Sequence, residues 1–490
     1  MVHEDYACML NQTNIGQNNK FYVIQVAKDK KDFLCFTRWG RVGEEGQWNI
    51  DSMNKVEDVI KVFEKKFKDK TKNNWADRDN FEPAPKKYTL LEMDDDSDEE
   101  EDAVDSSTPK KELVSNDGPC NLHPRTMLMI KLIFSDDMFV NQMADISLDV
   151  KKMPLGKLSK LQIAKGLEAL IDIEDAIKKK KAQERRPVGW SWAPETYFEK
   201  SEKFPRSVLM ELTSKFFTLI PHNFGRSAPP VIDTVDVVQK KKEVMLTLSD
   251  IELTQSLQRD KESKGLHILQ EKYDMLDCRL EYVDQTSSEF KIISEYSIAC
   301  PNSRKGTLLD VWRVDRNEAK ERFAAHDDIK HRKLLWHGTN VAVVAAILKA
   351  GLRIMPHSGG LVGKGIYFAS EHSKSSCYVG CHYGAFEGES YLGFMFLVEV
   401  ALGGESSITQ ADGSLTEAPS GYDSVVARGR KEPDPKKNKK LVFDENDVTV
   451  PLGKPVPQKE WFESSFAQSK YLVYKESQAR IRYILKFSFV

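Results

Sequence analysis

Three textures follow one another when the chain is read for apolar and polar positions. FYVIQV (21–26) and FLCFTRWG (33–40) carry apolar residues at strand spacing and flank the charged turn AKDKKD, which predicts a β-hairpin. DVIKVFEKKFKDKTKNNW (58–75) has a helical period that turns Val62, Phe63, Phe67 and Trp75 inward. MDDDSDEEEDAVDSSTPKK (93–111) is acidic, then polar with a proline; it cannot bury a core and reads as a flexible linker. Helical spacing returns in RTMLMIKLIF (125–134), from Leu158 to Ile177 and from Val237 to Leu257, with Ser159 of MPLGKLSK as a helix cap. RRPVGWSWAPETYFEKSEKFPR (185–206) has no period and predicts an irregular surface insertion reaching back to about 178. From about 265 the texture is β: LLWHG, GKGIYFAS, YLGFMFLVEVAL, DSVVARG, KLVFDENDVTVPLG, SKYLVY and ARIRYILKFSFV read as strands, with short helices at 341–351 and 370–380.

The expected architecture is therefore multidomain: an α+β unit (1–92), an acidic linker (93–112), an all-α unit (113–258, insertion about 178–206), and an α+β unit (265–490) with mainly antiparallel sheets. Net charge is −3, so any nucleic-acid contact has to come from a local basic patch. Seven cysteines, at 8, 35, 120, 278, 300, 377 and 381, are odd in number and dispersed, as reduced thiols of the cytosol or nucleus are. No secretory signal opens the chain and no apolar run could span a bilayer, so the expectation is a soluble intracellular protein without a membrane partner. KKKK (178–181) with Arg185 and Arg186 could address it to the nucleus, or form a solvated basic loop.

Candidate chemistry sits in the last segment. The apolar run KLLWHGTN (333–340) ends at His337 and Gly338; a strand-end histidine is usually structural, but the glycine lets a ligand approach the backbone. SGGLVGKGIYFASEHSKSSCYVG (358–380) is glycine-rich yet fails the phosphate-loop pattern, since Gly365 stands where Ser or Thr is needed. His372, Cys377, Cys381 and His382 match no common zinc spacing, so no metal is expected. What remains is a loop leading to Tyr367 and a helix bearing Ser375 and Tyr378, a set suited to sandwiching a flat aromatic ring and fixing its polar edge.

LLWHGT, GLRIMP, GKGIYFASEHSKS, YLGFMFLVEVALG and the closing strand pair resemble the catalytic domain of the poly(ADP-ribose) polymerases. MPLGKLSKLQIAKGLEAL resembles that family's helical regulatory domain, and TRWGRVGEEGQ (37–47) its Trp-Gly-Arg domain. The resemblance covers nearly the whole chain outside the linker and the insertion, and is nearest to the DNA-dependent, zinc-finger-free branch that transfers single ADP-ribose units. It implies that NAD is the ADP-ribose donor. Gly338 and Ser375 would hold the nicotinamide carboxamide, Tyr378 and Tyr367 would enclose the ring, and His337 would bond the adenosine-side ribose. Thr339 and Arg353 would help hold the dinucleotide, with Lys374 in the same wall. A helical domain that blocks the NAD site until DNA engages the first domain is implied as well.

The same resemblance expects a glutamate in the strand motif that here reads SKYLVY, where it would stabilise the cation growing on the ribose. Aligned on its pattern, that place is held by Lys470. Glu476 lies six residues on, roughly 20 Å along an extended strand, and cannot stand in. For the first domain the resemblance points to broken or nicked double-stranded DNA, with Trp39, Arg38, Arg41, Lys72 and Asn73 as contacts; on composition alone most lysines of FEKKFKDKTKNNW (63–75) would be a solvated basic helix. Two readings follow. One is a nuclear, DNA-break-activated ADP-ribosyltransferase modifying protein acceptors, itself included, with histones and repair factors as candidates. The other is a DNA-end-binding scaffold that keeps the fold but little catalysis, which Lys470 favours.

Overall fold

The computed structural model describes residues 2–29, 32–93, 119–135, 138–139, 158–184, 205–259, 267–299, 306–354, 360, 362–384 and 390–489. The linker beyond Met93 and residues 185–204 of the expected insertion lie outside the described residues. The chain forms two compact units: Met1–Lys111 with Met143–Glu252, and Glu112–Gln142 with Leu253–Val490.

The first unit is built on an antiparallel sheet in the order β4 (Gln47–Met53), β3 (Asp32–Arg41), β2 (Asn18–Asp29), β1 (Val2–Asn14), β5 (Thr89–Leu91). Alternation sends Cys8, Leu10, Tyr22, Ile24, Val26 and Cys35 to one face, where they pack against α1 (Val56–Thr71). Val59, Phe63, Phe67 and Thr71 are the buried stripe of that helix, spaced four apart. Each phenylalanine sealed there contributes about 2 kcal/mol or more. The helix stops at Thr71 rather than running to Trp75. Lys72 is left-handed (φ 70°) and its N–H closes on the Lys68 carbonyl, and Trp75 reaches the core from a separate 3₁₀ turn, Trp75–Asn80.

The helical stretch supplies α2 (Pro124–Ile133), α3 (Lys160–Glu184), α4 (Arg206–Leu219) and α5 (Val235–Arg259). Of these, α2 belongs to the second compact unit, and α3, α4 and most of α5 to the first. Ser159 caps α3 as expected, its Oγ accepting the Gln162 N–H at 3.1 Å. The helix continues to Glu184, so the basic run 178–181 is helical rather than part of an irregular loop, and Lys178 pairs with Glu174 one turn back. The far face of the sheet grips the end of α4. Asn11 Nδ2 donates to the Phe217 and Thr218 carbonyls at 3.0 and 2.8 Å, and Asn19 Nδ2 to that of His222 at 2.9 Å.

In the second unit the large sheet runs β15 (Lys439–Phe443), β16 (Asn446–Val450), β8 (Arg332–Gly338), β11 (Ser390–Ala401), β20 (Ala479–Phe489), β7 (Gly306–Arg316), β6 (Cys278–Tyr282), with β10 (His382–Gly384) beside β11. A second sheet runs β12 (Glu405–Ile408), β13 (Ser424–Ala427), β19 (Lys470–Val473), β9 (Ile366–Phe368), and a third β17 (Pro455–Pro457), β14 (Gly429–Pro433), β18 (Phe466–Gln468). Pairing is mainly antiparallel; β16/β8, β12/β13 and β14/β18 are the parallel pairs among the described residues. The helices are α6 (Ile268–Met275), α7 (Ser288–Ile298), α8 (Ala319–Ala324), α9 (Val344–Ala350) and α10 (His372–Ser376). Of these, α6, α7 and α8 are not foreshadowed by the β texture of the sequence. Trp336, Leu334, Met395, Leu397, Leu485 and Phe487 form the core between the central strands and α7.

Candidate active site and nucleic-acid face

β8, β9 and β19 lie side by side and build one wall. Trp336 and Ala369 exchange backbone hydrogen bonds at 2.8 and 3.0 Å, and Phe368 and Tyr367 pair with Tyr471 and Leu472. β8 thus delivers His337 and Gly338 next to β9. His337 Nδ1 is 2.9 Å from the Tyr367 carbonyl oxygen. A carbonyl can only accept, so Nδ1 carries the hydrogen and Nε2 presents a lone pair. Burial pulls the imidazole pKa below its usual value, which keeps the ring neutral.

Gly338 has a steric reason to be glycine. A Cβ there would run into the Ser375 carbonyl oxygen and sit 3.4 Å from Cβ of Tyr378. Ser375 is buried and its Oγ donates to the Trp336 carbonyl at 3.1 Å, while Tyr378 is 59% exposed. The Gly338 backbone, Ser375 and the base of the Tyr378 side chain therefore come together. Tyr367, on β9, is more than a ring. Its hydroxyl donates to the Gly363 carbonyl at 2.7 Å and accepts the Val362 N–H at 3.1 Å, which holds the glycine-rich loop; burial pushes the phenol up to about 12. Thr339 is buried just beyond, and Arg353 is exposed.

Lys470 opens β19 opposite Ala427 of β13. Gln468 ties the chain just before it to the start of α10, donating to Glu371 Oε2 at 2.7 Å and Ser373 Oγ at 3.0 Å. This brings Lys470 to the same wall as Lys374. Its ammonium stands 5.6 Å from the Phe466 ring, and burial, then the Lys374 charge, lower its pKa to about 8. Gln468 and Phe466 escape a reading by sequence, because only the register of β18 and β19 gives them a place here. Glu476 is in the 3₁₀ turn after β19, as expected, and is engaged elsewhere. It accepts from the Ile354 N–H at 2.8 Å and from Arg322 at 3.3 Å. Glu432 bonds Ser370 and the Tyr471 hydroxyl; Tyr471 follows Lys470 on the strand and points to the opposite face. Among the described residues no group of three or more His, Cys, Asp or Glu side chains is placed to hold a metal ion.

On the first unit the candidate DNA residues separate. Trp39 belongs to the helix-side face and stacks on Tyr22 at 5.8 Å. Around this pair the fold gathers residues the sequence did not single out. Lys70 sits 4.5 Å over Tyr22, Lys20 sits 5.0 Å over Tyr88, and Tyr22 and Tyr88 are 6.0 Å apart. Burial, then the charges of Lys20 and Lys87, lowers the Lys70 pKa, as expected for a crowded cationic patch. The available signal was the alternation of Lys20 and Tyr22 on one strand face. Arg38 neighbours Trp39 in sequence but faces the other way, its guanidinium 5.3 Å over Phe21. Arg41 donates to the Ser227 carbonyl at 2.9 Å. Lys72 caps α1, and Asn73 is bonded through both ends of its amide to the Glu82 backbone at 2.8 and 3.1 Å.

Three family models match the chain in order: the WGR domain over residues 6–82, the poly(ADP-ribose) polymerase regulatory domain over 120–273 and the poly(ADP-ribose) polymerase catalytic domain over 287–489. The chain is 48% identical to the protein mono-ADP-ribosyltransferase PARP3 of Homo sapiens over 494 aligned positions, covering 99% of this chain and 88% of that protein. It is 49% identical to the PARP3 of Mus musculus over 500 positions (99% and 88%). It is 35% identical to poly [ADP-ribose] polymerase 2 of Homo sapiens over 506 positions (99% and 79%). Likeness at that level over nearly the full length places the chain in the poly(ADP-ribose) polymerase family, as an enzyme of the ADP-ribosyltransferase class whose family donor is NAD.

Proposed function

We propose that the protein is a DNA-break-activated mono-ADP-ribosyltransferase of the nucleus, acting in DNA repair, whose chemical step is held back by Lys470. The observation that carries the reading is the close approach of Ser375 and Tyr378 to the Gly338 backbone, with the Ser375 hydroxyl on the neighbouring Trp336 carbonyl; Tyr367 would close the other side of the ring. That spot fits a carboxamide on a flat ring, the departing half of NAD. His337 Nε2 would accept from a hydroxyl of the adenosine-side ribose, and Thr339 and Arg353 would hold the remainder of the dinucleotide. Cleavage of the glycosidic bond builds positive charge on the nicotinamide-side ribose. A lysine at the wall opposes that charge where an acid would stabilise it.

The cationic patch around Trp39, Tyr22 and Tyr88 suits phosphates and an exposed base or sugar at a strand break, read without sequence preference. Acceptors would be proteins, this one included, with histones and repair factors as candidates. Single-turnover transfer from labelled NAD, with and without nicked DNA, tests the reading. Slow transfer that rises on adding DNA supports it. Normal NAD binding with no transfer in either condition would overturn it in favour of the DNA-end-binding scaffold, the reading that Lys470 itself favours.

A further inference from the structure

The large sheet opens onto a cleft that the NAD reading does not use. It has a volume of about 450 Å³ and lies between β6, β7, β20, the start of α7 and the tip of β15. None of the residues lining it belongs to the wall around Gly338 and Lys470. Its arginines are unequally engaged. Arg313 is held on both sides, donating to Glu281 at 2.8 Å and to Glu289 at 3.0 Å. Arg480, buried, donates to Asp444 at 2.7 Å and to Asp315 at 3.4 Å. Arg482 is 8% exposed and lies 4.7 Å over the Phe443 ring. Its Nε donates to Glu399 at 2.7 Å and its Nη2 to Asp444 at 2.6 Å. Its Nη1 makes no hydrogen bond among the described residues, yet is not sealed from solvent. Arg279 lines the same cleft and is exposed, and its guanidinium makes no hydrogen bond or ion pair among the described residues. Each carboxylate named here is thus claimed by an arginine, and the donors left over include all of Arg279 and Nη1 of Arg482. Beside them Phe443 and Val442, the latter 66% exposed, offer an apolar surface. The volume falls in the range of small organic ligands, roughly 300–1,000 Å³.

We propose that this cleft binds a small organic anion, with one oxyanion head (a phosphate monoester or a carboxylate) held by Arg279 and Arg482 and a flat apolar body against Phe443 and Val442. Guanidinium groups grip such heads through paired N–H donors, and charge-assisted bonds of this kind are the strong ones. Arg482 supplies a donor fixed in place by Glu399, Asp444 and the Phe443 ring, and Arg279 supplies the uncompensated charge. Asp315 and Glu281 also face the cleft, so a second anionic group on the ligand would meet a carboxylate. The site binds and does no chemistry; no bond forms or breaks there.

The test uses the full chain at pH 7, with ionic strength held constant by sodium chloride and benzamide at saturation to occupy the ring spot beside Gly338. Calorimetric titrations with phenyl phosphate and with phenylacetate separate the two kinds of head. Inorganic phosphate and acetate, which have the heads without the body, are titrated alongside. The proteins are the parent, Arg279→Gln and Val442→Glu, both at exposed positions, and Arg482→Lys, which keeps the charge and loses the fork. One of the two aromatic anions should bind the parent at least about tenfold more tightly than it binds Arg279→Gln or Val442→Glu. It should also bind at least about tenfold more tightly than its bare head. Arg482→Lys should bind as weakly as Arg279→Gln; its melting temperature checks the fold, and if that falls the two exposed variants decide. Equal affinity in the parent and Arg279→Gln, or no binding of either aromatic anion, would overturn the site. A bare head that binds as tightly as the aromatic anion would overturn the apolar half of the proposal.

Discussion

The two ends of the catalytic wall are built to different standards. At the Gly338 end, every group is fixed by packing: the glycine fits because nothing larger can, Ser375 is held by the Trp336 carbonyl, and Tyr367 is anchored at its hydroxyl. At the Lys470 end the backbone is as well ordered, with β19 paired on both sides, but the charge is reversed from what the reaction asks. Recognition of a ring depends on shape and a few hydrogen bonds. Stabilising a transient cation depends on the sign of one nearby charge. On the proposed reading the wall would therefore separate binding from chemistry, with Lys470 as the residue that divides them.

The largest expected effect tests that separation directly. A unit pair at about 4 Å and an effective dielectric near 20 interacts by roughly 4 kcal/mol, and a half-developed charge by about 2; reversing the charge doubles this. Lys470→Glu should therefore speed single-turnover transfer by roughly two to three orders of magnitude, with benzamide affinity unchanged. Equal rates would show that Lys470 does not face the ribose. At the other end, Gly338→Ala should weaken benzamide by about a hundredfold, because the new methyl meets the Ser375 backbone rather than a mobile side chain. Calorimetry on a variant with unchanged melting temperature would check this. Retained affinity would remove the Gly338 contact from the binding reading.

A pH series gives a smaller effect with a defined sign. Lys470 has its pKa lowered to about 8, so raising pH through 8 removes the opposing charge, and the rate should climb about tenfold between pH 7 and 9. Lys470→Met should lose that climb. If it keeps the same profile, another group is titrating. Tyr378→Ala, at an exposed position, should cost about three- to tenfold in benzamide affinity and nothing in stability. An unchanged affinity would mean that the ring is not stacked on bound ligand.

Much of this wall was legible in the sequence because its parts are contiguous. WHG is three consecutive residues and Ser375 lies on α10, but the helix stops at Ser376, so Tyr378, expected on the same helix, sits in the turn beyond it, its N–H on the Ser375 carbonyl at 3.0 Å. The end of α1 was not legible, because a left-handed lysine at 72 leaves no compositional mark where glycine would have. Nor was the cationic patch, since Lys20, Lys70 and Tyr88 meet only through the pairing of β1 with β2 and β5 and the packing of α1 on that sheet, where the Tyr88 N–H reaches the Lys70 carbonyl at 3.1 Å. Arg38 and Trp39 show the opposite error. Adjacency in sequence suggested a shared surface, and strand alternation sends them to opposite faces. Glu476 was correctly set aside on distance alone, and its bonds to Ile354 and Arg322 supply a second reason.

The bond from His337 to the Tyr367 carbonyl also bears on selectivity between dinucleotides. Because Nδ1 is committed as donor and burial keeps the ring neutral, Nε2 can only receive a hydrogen. A sugar hydroxyl can supply one. A phosphate ester on that sugar cannot; it would set its oxygens against the nitrogen lone pair. With NAD in the proposed pose, this tautomer makes the site a filter against the 2′-phosphorylated form of the dinucleotide, and the filter would fail only if the imidazole gained a second proton.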